Sequence, residues 1–171
     1  MATSIDQIPL HAPGGYNVVV ETPRGSRTKF AYDSELGLFR AKKLLAMGLA
    51  FPFPFGFFAS TKAADGDPLD AMLLTDADLV LGSVVRCRVL GGFALEDEKG
   101  GRAKRNDRLL VVPLLLHQDR PPYQLSDIPA EQLQDLEDFL LAYPAADGKR
   151  AKVIARLDKS AAEKIIETAS R

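Results

Sequence analysis

Three carboxylates fall within one short segment, Asp65-Gly66-Asp67-Pro68-Leu69-Asp70. Like charges a few ångström apart repel, so carboxylates that converge from this spacing need a cation between them. Magnesium suits such a set. It is a hard ion that takes oxygen ligands in octahedral geometry and keeps waters and substrate phosphates beside one or two carboxylates. Gly66 permits a tight turn and Pro68 stiffens it. The chemistry expected of this cluster is metal-assisted handling of a phosphate compound. The other reading of the same residues is a solvated acidic turn after Thr61-Lys62-Ala63-Ala64. An EF-hand calcium loop is excluded, because no distal glutamate follows at the required spacing.

Other charged residues lie at strand ends or in loops: Glu21, Lys29, Lys43, Asp97, Arg108 and Lys149. Taken singly, each reads as a solvated surface charge. His11 and His117 show no partner spacing and are given no catalytic role. Cys87 sits in the apolar run Ser83–Leu90, where a buried structural thiol is expected. A single cysteine forms no internal disulfide and anchors no thiolate metal site alone.

These groups must be positioned by a chain of 171 residues, the size of one domain spanning residues 1–171. Hydrophobic residues make up 46% and charged residues 26%, as in ordinary globular proteins. The net charge is −1, so no global basic field attracts nucleic acid, and no nucleic-acid partner is expected. The opening residues lack a basic start and an apolar stretch, so no secretory leader is expected. The most apolar segment, Leu44–Phe58, is broken by Gly48, Pro52, Pro54 and Gly56 and is too short to span a bilayer. A cytoplasmic location without membrane contact follows.

Apolar and β-branched runs predict strands at 16–21, 29–32, 36–39, 69–75, 82–90, 109–116 and 152–157. Prolines in Phe51–Phe58 argue for an extended, packed connection and against a central paired strand. The polar stretch Glu96–Arg108 reads as an exposed loop or hairpin end. A helix is predicted from Ser126 to about Leu141, with Leu133, Leu136, Phe139 and Leu140 on one face and Pro144 as its stop. A second helix covers 160–169 with Ile165 and Ile166 facing the core. Short strands first and helices last predict an α+β domain on a closed or nearly closed sheet.

The Asp65–Asp70 segment resembles the signature of the family I soluble inorganic pyrophosphatases. So do Val18–Asp33, Gly82–Arg88, Asp97-Glu98, Leu110-Val111-Val112-Pro113 and the helix ending near Tyr143, all in the family's order. The resemblance spans roughly residues 10–165 and implies a small five-stranded OB-like β-barrel flanked by two C-terminal helices. It implies magnesium-dependent hydrolysis of pyrophosphate to two phosphates. It places Asp65, Asp70 and Asp97 as metal ligands and Asp67 as the residue that helps generate the nucleophilic water. It gives Glu21 as a site carboxylate and Lys29 and Tyr143 as phosphate-binding residues. A homo-oligomer, a hexamer by resemblance, is also implied.

Several family positions differ. A site glutamate is replaced by Ala31, a phosphate-gripping arginine by Lys43, two tyrosines by Phe51 and Phe55, and a lysine by Pro144. Lysine keeps charge but lacks the planar guanidinium fork. After Asp97 the spacing admits two registers. Counting back from Leu110 places the family's metal-binding aspartate at Asn106 and its lysine at Arg108. Counting forward from Asp97 places them at Arg102 and Lys104. Asp107 lies one residue off the first count and could supply the missing carboxylate. Two other functions stay open: hydrolysis of another phosphoanhydride, with Phe51 and Phe55 lining a more apolar pocket, or an impaired, pyrophosphatase-like anion-binding protein.

Overall fold

The structure is a computed structural model that describes residues 4–117 and 120–171. In chain order its strands are β1 (His11–Ala12), β2 (Gly15–Thr22), β3 (Thr28–Asp33), β4 (Leu38–Leu44), β5 (Phe55–Phe58), β6 (Asp70–Leu73), β7 (Val84–Lys99), β8 (Arg102–Arg105), β9 (Arg108–Pro113) and β10 (Arg150–Leu157). Helix α1 (Ala130–Ala145) precedes β10, and α2 (Lys159–Ala169) follows it. None of the described helices is long and apolar enough to cross a membrane.

Five strands close into a barrel in the order β2-β5-β6-β9-β7 and back to β2. All neighbours are antiparallel except β6 and β9. Alternate residues of every barrel strand enter one apolar cluster: Val18, Val20, Phe58, Ala71, Leu73, Val85, Cys87, Val89, Leu109 and Val111. Ala162 and Ile166 of α2 join that cluster, so this helix covers the barrel interior. The opposite faces of β5, β6, β7 and β9 bury Phe55, Met72, Leu74, Phe93, Leu110 and Val112 against Leu133, Leu136 and Leu140 of α1. The period-two alternation of the strands and the three- and four-residue period of α1 therefore share one layered core. The Cys87 thiol is buried, and burial pushes its pKa up.

Several elements differ from the sequence reading. Phe55–Phe58 is a central strand paired on both sides, with β2 and β6. Pro52 and Pro54 precede it, so they remove no ladder donor. Strand β7 runs on to Lys99, well past Leu90. It bends at a bulge next to Gly91, whose φ is +146° and where an added Cβ would meet the Leu157 carbonyl oxygen at 2.3 Å. The polar stretch after Glu96 is a hairpin of β7 and β8, turned by Gly100 and Gly101, both at positive φ. Strand β4 begins at Leu38 and extends to Leu44. Helix α1 runs past Pro144 to Ala145, so the proline, which lacks the N–H for the bond to the Leu140 carbonyl, lies inside the last turn and the helix ends one residue later. Ile166 is fully buried, and Ile165 is partly buried beside it.

Gly56 shows how tightly the barrel closes. A Cβ there would lie 2.0 Å from the Val19 carbonyl oxygen, a backbone atom of the neighbouring strand. Gly56→Ala is expected to destabilise the fold by on the order of 3 kcal/mol through forced separation of β2 and β5. Urea unfolding measures this, and a loss within error of zero would show that the strands shift freely.

Candidate functional site

The acidic segment is held by its own ends. The buried Thr61 hydroxyl donates to the Phe58 carbonyl at 2.7 Å and accepts the Leu69 N–H at 3.0 Å. Inside this clasp, the Ala63 N–H reaches the Asp67 carbonyl at 2.8 Å, and the Asp67 N–H reaches Asp65 Oδ1 at 3.1 Å. Gly66 sits at φ +90° to complete the turn. Asp65 and Asp67 are thus set beside Asp70, the first residue of β6.

Asp70 is half-buried, and its desolvation raises its pKa, while Arg108 and Lys29 oppose the rise. Arg108 pairs directly with Asp70. It also donates to Asn106 Oδ1. Asn106 Nδ2 in turn donates to Asp97 Oδ2 at 2.5 Å. The chain Asp70–Arg108–Asn106–Asp97 fixes the amide orientation, since both ends of Asn106 are used. Asp107 turns away and pairs with Arg105. It faces a second cavity of about 480 Å³, between the acidic loop and α2. Arg102 and Lys104 are exposed on β8. Asn106 and Arg108 line the cleft with Asp97, whereas Arg102, Lys104 and Asp107 do not.

Glu21 projects from β2 on the outer face of the barrel. It is 8% exposed and accepts the Tyr32 N–H at 2.9 Å. Burial pushes its pKa up to about 7, partly offset by the Tyr32 bond and Lys29 and reinforced by Asp70 and Asp67. Lys29 on β3 lies directly opposite Lys43 on β4. Both ammonium groups face the ring of Tyr143 on α1, at 5.5 Å and 4.1 Å from its centroid.

All ten residues singled out in the sequence line one cleft of about 450 Å³: Glu21, Lys29, Lys43, Asp65, Asp67, Asp70, Asp97, Asn106, Arg108 and Tyr143. Ala31 and Pro144 line it too. Phe51 and Phe55 do not. They are buried against α1, so they do not form an apolar wall for a base or other large group. Lys42, Asp147 and Lys149 also line the cleft. The sequence reading treated Lys149 as a solvated charge and passed over the other two. The signal available was Asp147-Gly148-Lys149 just past a helix whose last turn carries no cation.

The donor set fits magnesium in kind, since Asp65, Asp67, Asp70, Asp97, Glu21 and the Asn106 amide all offer hard oxygens. Among the described residues no three acidic or histidine side chains already converge on one point. Arg108 holds Asp70 and Asn106 holds Asp97.

A profile of the inorganic pyrophosphatase family matches residues 18–171. The chain belongs to this family. It is 36% identical over 143 residues to an inorganic pyrophosphatase of Thermus thermophilus, covering 82% of this chain and 78% of that protein. It is 34% identical over 160 residues to one of Gluconobacter oxydans, covering 90% and 88%. The solved inorganic pyrophosphatase of Thermus thermophilus superposes with a TM-score of 0.87 at 31% identity, covering 98% of this chain and 97% of that one. The one from Coxiella burnetii gives 0.86 at 32%, covering 95% and 97%. The five-stranded barrel with two helices is the architecture these pyrophosphatases share with the chain.

The raised pKa of Glu21 has a consequence for stability. In the unfolded chain the carboxyl ionises near pH 4.5, and in the fold near 7. The fold binds this proton more tightly, so stability falls as pH rises through that window, and the loss is complete above it. Glu21→Gln keeps the acceptor for Tyr32 and removes the slope. The metal-free variant is expected to gain up to about 3 kcal/mol near pH 8 and little near pH 4. Urea unfolding in a chelator reads this, and an equal effect at both pH values would contradict it.

Proposed function

We infer that this chain hydrolyses inorganic pyrophosphate to two phosphates with magnesium. The observation that carries the inference is the meeting, in one small cleft, of a carboxylate wall and a cationic wall on a pyrophosphatase barrel. A compact, highly charged phosphoanhydride matches both the volume and the charges. In this reading Asp65, Asp70, Asp97 and Asn106 hold the ion. Magnesium, when bound, neutralises phosphate oxygens and lowers the pKa of water.

The chain's own residues supply the rest. Asp67 accepts a proton from the attacking water as its oxygen bonds to one phosphorus. The bridging P–O bond breaks, and the leaving phosphate carries away the bond pair. Lys29, Lys43, Arg108 and Tyr143 grip the phosphate oxygens and stabilise the charge that builds on them. Glu21, held by the Tyr32 N–H, adds a carboxyl to the same wall of the cleft. Assembly as a homo-oligomer, a hexamer by family resemblance, is part of the same proposal. Exposed Leu38, Leu44 and Met47 offer apolar surface for it.

The test is phosphate release from pyrophosphate by the purified protein, with and without magnesium, beside Asp67→Asn. Release that needs magnesium and falls by about a hundredfold or more in the variant is expected. Release unchanged by Asp67→Asn would remove that residue from the chemistry, and none from the wild type would sink the activity.

A further inference from the structure

We propose that Asp147 is a positioning residue that fixes the Lys43 ammonium at the cleft, giving a lysine the fixed aim that an arginine fork has by itself. The proposal rests on the pyrophosphatase reading and adds a residue to it.

Lys43 ends a flexible four-carbon stem, and its ammonium is a point charge with no preferred plane. In this structure it is pinned. Asp147 Oδ2 accepts a hydrogen bond from Lys43 Nζ, and the Tyr143 ring lies 4.1 Å away. Both partners come from the end of α1, whereas Lys43 comes from β4. The contact therefore ties the β3–β4 hairpin to the helix across the cleft.

The placement of Asp147 is built by the backbone. Its N–H and that of Lys149 both donate to the Pro144 carbonyl, at 3.0 and 3.1 Å. The Gly148 N–H donates to the Ala145 carbonyl at 3.0 Å, and Gly148 takes φ +71°. This left-handed closure leaves the Asp147 carboxylate at the negative end of the helix dipole. A carboxylate is disfavoured there, and the last turn of α1 carries no basic residue to offset it. The offset comes from another element, as Lys43.

Asp147 does not cancel the pull on an anion. Lys29 stands opposite Lys43 in the hairpin, and Lys42 and Lys149 line the cleft beside them, so this wall carries four ammonium groups around the Asp147 carboxylate. An ammonium has three donors, so Lys43 keeps one or more for a phosphate oxygen. Like charges directly opposite in a hairpin repel, and the carboxylate also relieves that repulsion. Lys43 gains from its partners accordingly: burial lowers its pKa, but Asp147 and Tyr143 outweigh this and raise it.

A double-mutant cycle of Asp147→Asn and Lys43→Met tests the proposal. Asparagine keeps the size and the fold and drops the charge. Asp147→Asn alone is expected to raise KM for pyrophosphate about tenfold, with kcat changed by less than about twofold. In the Lys43→Met background the same change is expected to do nothing further. Asp147→Glu should restore most of the affinity. A lower KM in Asp147→Asn would show that the carboxylate competes with substrate and would overturn the proposal. So would an equal effect with and without Lys43, which a merely structural residue would give. Pyrophosphate affinity by titration calorimetry reads the same cycle without turnover. A wild type that binds but releases no phosphate would therefore fail the activity and still decide the role of Asp147.

Discussion

Much of this molecule follows from holding carboxylates beside one another at the buried edge of a barrel. Asp70 is the extreme case, since burial works against its charge and two other aspartates lie nearby in the same loop. The relief is topological. Strands β6 and β9 are the parallel pair that completes the barrel, and Ala71 lies opposite Leu109. The residues just before them, Asp70 and Arg108, are therefore neighbours, and they pair. Were the pairing to slip by one residue, the guanidinium would move to the other face of β9 and leave the half-buried Asp70 without its partner.

The same economy shapes the second wall. The β3–β4 hairpin stands outside the barrel as a separate two-stranded sheet. It contributes Lys29 and Lys43, and Tyr32 supplies the N–H that holds Glu21. An isolated hairpin is marginally stable in water. Here it is braced below by Tyr32 and Phe39 against Phe57 and Val19, and at its edge by Tyr143 and Asp147 of the α1 end. The cleft is the gap between barrel, hairpin and helix, so each wall carries a different part of the charge pattern.

How much of this the chain disclosed depended on whether the signal was local. The acidic segment is legible because its three carboxylates lie within six residues, around a turn that Gly66 makes, and all line one cleft. Glu21 and Lys29 are legible only through resemblance, since nothing in their spacing brings them near Asp70. The registration after Asp97 was readable and was left open. Gly100-Gly101 is a strong two-residue hairpin signal, and it sets Lys99 opposite Arg102 and Asp97 opposite Lys104. Strand β8 then ends at Arg105, and the backbone N–H of Asn106 reaches back to the Leu95 carbonyl at 2.9 Å. Phe55–Phe58 escapes a reading based on proline content, because both prolines of the segment precede the residues that pair. Asp147 was missed for a deeper reason: its partner is 104 residues away in sequence, and no pattern local to either residue announces the contact.

The departures from the family pattern make sense as a set of charges. By the resemblance, and counting back from Leu110, Ala31 and Asn106 stand where the family has carboxylates and Pro144 where it has a lysine. Two negative groups and one positive group are gone together, so the balance in the cleft shifts by a single charge. Asn106 shows how the shift is absorbed. An aspartate there would set a second carboxylate against Asp97 and require a cation between them. The amide donates to Asp97 and accepts from Arg108, which joins the two carboxylate-bearing strands without any ion. On the cationic side, the loss at Pro144 leaves Lys43 as the nearer charge at the helix end, and Asp147 and Tyr143 fix where it points. A site altered at this many positions keeps its shape because each change in charge meets a hydrogen bond that takes up the difference.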